Sequence, residues 1–174
     1  MAKKVLSYDN ALSRAASLCA RAEHCASEIR TKLIRWNAER GDIDRIIETL
    51  EDQGFIDEHR FAAAFVNDKA AFDHWGRRKI RFALHRLGIS GSVADEAIRD
   101  NINEKDYRTG LRQLLEAKFR TLPTDTDPYK RKATLFRYAA TRGFETDYIS
   151  AIVSQLVNGA DDFEDGIADE EYEY

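Results

Sequence analysis

Cysteine and histidine are the residues of this chain best suited to metal binding or catalysis, and neither type occurs in a recognisable catalytic pattern. Cys19, His24 and Cys25 lie close together in the sequence, but they lack a fourth ligand and the spacing of a tetrahedral zinc site. We therefore expect a buried Cys19 and a surface His24 rather than a metal centre. The remaining histidines are isolated and are expected at partly exposed helix positions: His59, His74 and His85.

Sequence motifs of the common enzyme classes are also absent. The chain has no glycine-rich phosphate loop, no GxSxG nucleophile turn and no HExxH zinc motif. We predict that the protein is not an enzyme and needs no cofactor. Cys19 and Cys25 are spaced so that a helix turns them by about 240° and away from each other. Together with the lack of a hydrophobic leader or membrane-length segment, this favours a reduced cytoplasmic protein that we expect to be monomeric.

Clusters of basic residues are the remaining feature with a functional meaning. They occur on three segments, each predicted to be the second helix of a unit: Arg30, Lys32, Arg35 and Arg40; Arg77, Arg78, Lys79, Arg81 and Arg86; and Lys130, Arg131, Lys132, Arg137 and Arg142. A charged helix face is most often simply solvated. Recurrence in three stacked units would instead align the charges along one track that could follow a phosphate backbone or an acidic protein groove. Nearby aromatics would either stack on bases or pack between units: Trp36, Trp75 and Phe82.

The residue pattern from Gly54 to Ser92 predicts three successive helix starts, and the second of these helices carries the densest basic cluster. Asp57 is expected to cap the first helix, whose buried stripe contains Phe61, Ala64, Phe65 and Phe72. A second helix is expected after Gly76, with Ile80, Ala83, Leu84 and Leu87 buried and with Arg77, Arg78, Arg81 and His85 on the opposite side. Gly88 should end it with a positive φ angle, and Ser90 or Ser92 should cap a third helix.

The same order of helices is predicted before and after this segment. Leu33 to Gly41, Ile80 to Gly88 and Leu135 to Gly143 have equal lengths and are interpreted as equivalent parts of three repeats. Asp42 is expected to cap the third helix of the first repeat. Asp127 followed by Pro128 is expected to begin the second helix of the third repeat. The predicted boundaries are 9–54, 55–103 and 104–158 for the repeats and 159–174 for an acidic, disordered tail.

Charge is distributed unevenly along the chain. The whole sequence has a net charge of −4, but residues 159–174 contain eight acidic residues and no basic one. Without these eight acids, 27 Lys and Arg residues face 23 Asp and Glu residues. A mildly basic body and a strongly acidic tail are therefore predicted. The fold class indicated by the helical periodicity is all-α, with three tandem three-helix repeats forming an elongated, curved array.

Several segments resemble the RecX family of RecA regulators, over roughly residues 12–157. The similarity rests on RAEHCASEIRTKL in the first repeat, GFIDEHRFAAAFV and WGRRKIRFALHRLGIS in the second, and KRKATLFRYAATRGF in the third. The two middle segments are the most specific. Cys25 departs from the serine usual at this capping position, and the acidic tail is not typical of the family.

The resemblance implies a non-enzymatic helical protein that binds the RecA filament on single-stranded DNA. It further implies lower ATP hydrolysis and strand exchange by RecA, and weak binding to single- and double-stranded DNA. The residues expected to contact RecA or DNA are Arg77, Arg78, Lys79, Arg81, Arg86, Lys130, Arg131, Lys132, Arg30, Lys32 and Arg35. The alternative, left open by the residues themselves, is a free-standing helical-repeat protein that binds nucleic acid directly.

Overall fold

A computed structural model describes the backbone of residues 5–165 and the side chains of residues 5–158. Within this range the chain forms nine α-helices: α1 Tyr8–Cys19, α2 Ala26–Arg35, α3 Ile43–Asp52, α4 Glu58–Ala71, α5 Arg77–Arg86, α6 Gly91–Asn101, α7 Glu104–Phe119, α8 Pro128–Ala140 and α9 Thr146–Asp165. A short 3₁₀ turn covers Arg40–Asp42. The only extended pairing in the described part is an isolated bridge between Leu6 and Ala38. The all-α prediction is confirmed.

The helices follow one another in three sets of three, but the chain packs into two compact units that do not coincide with these sets. One unit contains the chain up to Asp68 together with Arg81–Asn101, and the other contains Lys69–Ile80 together with the chain from Ile102 onward. Helices α4 and α5 each contribute to both units. The division into three repeats at the predicted boundaries, and their elongated, curved arrangement, stay predictions.

Helix starts follow the predicted capping residues in most places. The Asp57 carboxylate accepts from the Arg60 amide at 2.8 Å, and the Asp127 carboxylate accepts from the Lys130 amide at 3.0 Å. Of the two serines proposed to cap α6, Ser90 is the one whose hydroxyl faces the Val93 amide, at 3.4 Å.

The predicted Asp42 cap is wrong. The Asp42 side chain makes no capping hydrogen bond to the start of α3. Its carboxylate instead pairs with the Arg45 guanidinium at 3.3 Å. Asp42 has helical backbone angles within the 3₁₀ turn, rather than the extended angles from which an N-cap side chain reaches the first amides.

The end of α5 confirms the prediction for Gly88, which has a φ angle of 87°. Its successor Ile89 donates to the Leu84 carbonyl at 3.1 Å, the long hydrogen bond of a Schellman motif. Equivalent bonds end two other helices. The Ala38 amide donates to the Leu33 carbonyl at the end of α2, and the Phe144 amide donates to the Ala139 carbonyl at the end of α8. In α2, however, the residue with positive φ is Asn37, at 61°, and not Gly41.

This difference changes the alignment of the first repeat. Counting back from Asn37, Gly88 and Gly143, the equivalent buried residues are Ile29, Ile80 and Leu135, all with 0 % exposure. The predicted equivalence of Leu33 with Ile80 and Leu135 is therefore wrong by one helical turn. Asparagine tolerates the left-handed conformation because its short side chain bonds locally, so a glycine is not required there.

Each unit has its own buried side chains. In the first unit the core contains Ala11, Ala15, Ile29, Leu33, Ala38, Ile43, Ile46, Ile47, Leu50 and Ile56. In the second unit buried residues from α7, α8 and α9 include Leu111, Leu115, Leu135, Ala139, Ile149, Val153 and Val157. The predicted burial of Phe72 is wrong, because Phe72 lies just beyond α4 and is 79 % exposed. Five other residues predicted to be buried are only half-buried: Cys19, Ala64, Phe65, Ala83 and Leu87.

The last helix extends beyond the point at which the tail was predicted to begin. Its helical backbone runs through Asp165, past Gly159, while residues 166–174 lie outside the described residues. No helix in the described part is long and apolar enough to cross a membrane.

Candidate nucleic-acid interface

The start of α5 belongs to the second unit and is held there by a network of charged and aromatic side chains. The Arg77 guanidinium donates to the Glu104 carboxylate at 2.9 Å and lies 3.7 Å from the Glu145 carboxylate. It also lies over the Tyr107 ring, 4.3 Å from the centroid. Only 20 % of the Arg77 side chain is exposed. The prediction that Arg77 lies on a free outer face is therefore wrong.

Glu104 is the acidic centre of this network. Its carboxylate accepts hydrogen bonds from the Tyr148 hydroxyl and from the guanidinium groups of Arg77 and Arg108, and these interactions lower its pKa to about 2. The Tyr107 hydroxyl donates to the Glu145 carboxylate at 2.6 Å. Burial and this hydrogen bond to a carboxylate raise the pKa of Tyr107, so the phenol remains protonated.

The first amides of α5 have no capping side chain in the local sequence, yet the fold provides acceptors for them. The Gly76 amide donates to the Arg142 carbonyl at 2.7 Å. The Arg77 amide donates to the Tyr107 hydroxyl, and the Arg78 amide donates to the Gly143 carbonyl, each at 3.1 Å. The N-terminus of α5 is consequently occupied by protein groups. It is not available as an anion site of the kind that free helix N-termini form.

Two glycines permit this close approach. A Cβ atom on Gly76 would fall well inside van der Waals contact with the Gly143 backbone, and one on Gly143 would meet the Lys79 backbone in the same way. Gly143 also has a φ angle of 84°. The start of α5 and the turn after α8 are thus in direct backbone contact.

The other predicted residues of α5 differ in their surroundings. Arg78 and Arg86 are exposed and have no ion-pair partner in the described part of the chain. Lys79 is half-buried, with its ammonium 4.2 Å from the centroid of the Trp75 indole. Arg81 is exposed but pairs with Asp95 at 2.5 Å.

The basic residues of α2 are likewise divided. Arg30 pairs with Asp44 at 2.6 Å, and both side chains are substantially exposed. Lys32 is half-buried and Arg35 is exposed, and the described residues provide neither with an ion-pair partner. Trp36 lies against the Arg14 guanidinium, 4.1 Å from the ring centroid. An exposed ion pair contributes only about 0.2–1 kcal/mol, so Arg30 can exchange Asp44 for another anion at low cost.

In α8 one predicted surface residue is buried. Arg131 is only 7 % exposed, donates to the Thr124 carbonyl and lies near the Phe119 ring. Its predicted position on the outer face is wrong, because the α7–α8 connection folds over it. Lys132 is half-buried and donates to Asn158 at 2.8 Å. Lys130 is exposed and has no ion-pair partner in the described range.

The eleven residues predicted to contact RecA or DNA therefore have different surroundings. Arg77 and Arg131 stabilise the fold, Arg30 and Arg81 are exposed but ion-paired, and three lysines are half-buried: Lys32, Lys79 and Lys132. The other four are exposed and have no ion-pair partner among the described residues: Arg35, Arg78, Arg86 and Lys130. Sequence patterns did not reveal the acidic partners Asp44, Asp95, Glu104 and Glu145, because their cations lie far away in the chain. The described residues contain no group of three or more His, Cys, Asp or Glu side chains arranged to hold a metal ion.

The helices and their basic residues define a class of all-helical proteins that are built from sets of three helices, with basic side chains on the second helix of each set. The family model described as "RecX, second three-helix domain" matches residues 57–98. The regulatory protein RecX of Chlorobium phaeobacteroides is 35 % identical over 136 residues, which cover 77 % of this chain and 85 % of that protein. The chain belongs to the RecX family.

Other relatives agree with this assignment. The regulatory protein RecX of Clostridium perfringens is 30 % identical over 132 residues, and the chain spans only 61 % of the length of that protein. A crystal structure of RecX from Lactobacillus salivarius superposes with a TM-score of 0.72 at 20 % identity, covering 86 % of this chain and 96 % of that one. A crystal structure of a regulatory protein RecX gives a TM-score of 0.75 at 23 % identity, covering 83 % of this chain and 72 % of that one. At these identities the structural matches establish the fold.

Proposed function

We propose that this protein regulates the RecA recombinase, mainly as an inhibitor. It binds the RecA filament on single-stranded DNA and lowers ATP hydrolysis and strand exchange. In this way it modulates recombination and DNA repair, including the SOS response. It acts in the cytoplasm, as a monomer.

The observation that carries this proposal is membership of the RecX family, whose relatives are named regulatory proteins. The exposed cations on the second helices supply a physical basis for binding. A filament on DNA presents phosphates and acidic side chains, and exposed guanidinium groups without internal partners can bind them without first breaking an ion pair.

Helix α5 is the first place to test the proposal. Arg78 and Arg86 are both exposed, so replacing them by glutamate leaves the buried Ile80 and Leu84 in place. Reversal of two charges replaces attraction to an anionic surface by repulsion and should weaken inhibition by about tenfold or more at moderate salt. We therefore expect Arg78→Glu, Arg86→Glu to melt within about 3 °C of the parent. The same variant should need a correspondingly higher concentration to slow RecA-dependent ATP hydrolysis on single-stranded DNA.

The matched control reverses two exposed cations outside the second helices that likewise have no ion-pair partner among the described residues, Arg21→Glu and Lys105→Glu, and should retain full inhibition. Arg77 is left unchanged, because its loss would disturb the pairs with Glu104 and Glu145 and confuse folding with binding. Full inhibition by a well-folded Arg78, Arg86 variant would exclude α5 as the working surface. A parent protein that does not change RecA ATPase would exclude the proposed function itself.

Direct nucleic-acid binding is the second candidate, favoured by the same exposed cations. The two functions differ in their concentration dependence. A RecA regulator slows ATP hydrolysis at concentrations far below its own dissociation constant for DNA, whereas a free-standing DNA-binding protein acts only when it occupies the DNA. Titrating both activities in one buffer distinguishes them.

A further inference from the structure

The turn between α4 and α5 carries an aromatic side chain that the core does not use. Phe72 lies directly after the end of α4 and is 79 % exposed. Earlier in the same helix, Phe61 and Val66 are buried. Exposure of a single aromatic is common and needs no explanation alone, so the surroundings of Phe72 decide what it can do.

The turn that holds Phe72 is closed by backbone hydrogen bonds. The Trp75 amide donates to the Lys69 carbonyl at 2.9 Å, and this bond closes the turn in which Phe72 lies. His74 has a φ angle of 51°, a left-handed conformation that few residues other than glycine adopt. Gly76 is then anchored to the Arg142 carbonyl at 2.7 Å. Phe72 is therefore presented by a constrained turn.

Cations surround this turn, and only some of them are neutralised. The ammonium groups of Lys69 and Lys79 lie 5.1 Å and 4.2 Å from the centroid of the Trp75 ring. Lys69 also pairs with Asp73 at 2.6 Å, whereas no carboxylate in the described part of the chain pairs with Lys79 or Arg78. The surplus positive charge of the turn thus belongs to Arg78 and Lys79.

We propose that Phe72, Trp75, Arg78 and Lys79, the α4–α5 platform, bind single-stranded nucleic acid. The exposed Phe72 ring stacks on one unpaired base, while Arg78 and Lys79 contact the neighbouring phosphates. Trp75 positions the Lys79 ammonium through their cation–π contact. Stacking needs a base whose face is free, and this condition favours single strands over duplexes. The inference rests on the proposed function only in taking DNA as the ligand, and it can be tested without RecA.

The test compares two labelled oligonucleotides of about 12 residues, oligo(dT) and an abasic strand with the same phosphates, a length within the usual range for one such site. Fluorescence anisotropy at about 50 mM salt measures their dissociation constants. Phe72→Ala should weaken oligo(dT) binding about tenfold, as expected for loss of one stacked base, and leave abasic binding unchanged. Arg78→Ala should weaken both strands and reduce the salt slope by about 0.7.

Tyr129→Ala is the matched control, because Tyr129 is also an aromatic residue with 79 % exposure. It should bind both strands like the parent, and an equal loss in Tyr129→Ala and Phe72→Ala would overturn the assignment to this turn. Parent-like binding of oligo(dT) by Phe72→Ala would also overturn it. The assignment would also be overturned if Phe72→Ala lost RecA inhibition but still bound oligonucleotides like the parent, because the turn would then contact a protein. Failure of the parent to affect RecA, with stacking as expected, would reject the proposed function and leave this inference standing.

Discussion

Single carboxylates decide which basic residues of this protein are available to a partner. Glu104 binds Arg77 and Arg108, each at 2.9 Å, and also accepts from the Tyr148 hydroxyl. Asp95 and Asp44 neutralise Arg81 and Arg30 in a similar way. Arg77, which also contacts the Tyr107 ring, is therefore a structural residue, while exposed cations without such a partner remain free to bind.

The Glu104 interactions predict a pH-dependent contribution to stability. The folded-state pKa of Glu104 is about 2, below its unfolded value of about 4.3. Its stabilising effect is consequently complete above the unfolded pKa and disappears as the pH falls towards 2. Half of the Glu104 side chain is exposed, so solvent reduces the effect to about 1 kcal/mol.

We expect Glu104→Gln to lower the free energy of unfolding by about 1 kcal/mol at neutral pH and to match the parent near pH 2. Urea unfolding at both pH values measures this. Glu51→Gln, which replaces an exposed carboxylate with no side-chain partner among the described residues, should match the parent throughout. An equal loss for Glu104→Gln at neutral and low pH would show that the carboxylate charge is not responsible.

At the scale of helices, the ends of the second helices are the most regular feature. Helices α2, α5 and α8 end in the same hydrogen bond, with Asn37, Gly88 and Gly143 in the left-handed conformation. Their surroundings differ. A Cβ atom on Gly88 would meet no atom within 4 Å, whereas one on Gly76, at the start of α5, would overlap the backbone of Gly143.

This contrast predicts two separate costs of replacing glycine. Gly88→Val should destabilise the protein by more than about 1 kcal/mol, because a β-branched residue resists positive φ. Gly76→Ala should cost about 1–3 kcal/mol for a different reason, since two backbone segments must separate to admit the methyl group. Gly91→Ala, which has open space and no positive φ, should change stability by less than about 0.5 kcal/mol. Thermal or urea unfolding measures all three.

If Gly76→Ala were as stable as Gly91→Ala, the close contact between the start of α5 and the turn after α8 would be incorrect. An unchanged Gly88→Val would show that the helix end can adopt another conformation. The two outcomes are independent because one variant tests backbone angles and the other tests available space.

At the scale of the whole molecule, the C-terminal segment and the rest of the chain carry net charges of opposite sign. Residues 159–174 carry eight acidic residues, and the rest of the chain carries an excess of basic ones. The last residue with a described buried side chain is Val157, so removal of residues 160–174 leaves the described core complete. Charges of opposite sign on one chain compete with external ligands for the same surface, and salt screens this competition.

We therefore predict that deletion of residues 160–174 tightens binding to single-stranded DNA at low salt. The difference should shrink as salt rises above about 0.15 M, where the Debye length falls below about 8 Å. A control in which the eight acids are replaced by Ser and Gln, at unchanged length, should behave like the deletion. Equal affinities of the full and shortened chains would indicate that this segment serves solubility alone.

The sequence by itself determined the helices and most of their ends. Asp57, Asp127 and Gly88 act within four or five residues of their own positions, so their types and spacing are sufficient to predict what they do. Helical periodicity likewise located buried residues such as Ile80 and Leu84. Motif similarity identified the RecX family, because the glycine, aromatic and basic residues of its motifs follow one another closely in the chain.

Only the tertiary structure decided which basic residues are free. Arg77 pairs with Glu104, which is 27 positions further along the chain, and Arg81 pairs with Asp95, which is 14 positions further. No helical period predicts these separations. The burial of Arg131 and the exposure of Phe72 depend in the same way on where the connecting segments run. Local patterns record the interactions within one or two helical turns. Ion pairs and backbone contacts between distant segments form only when folding brings those segments together.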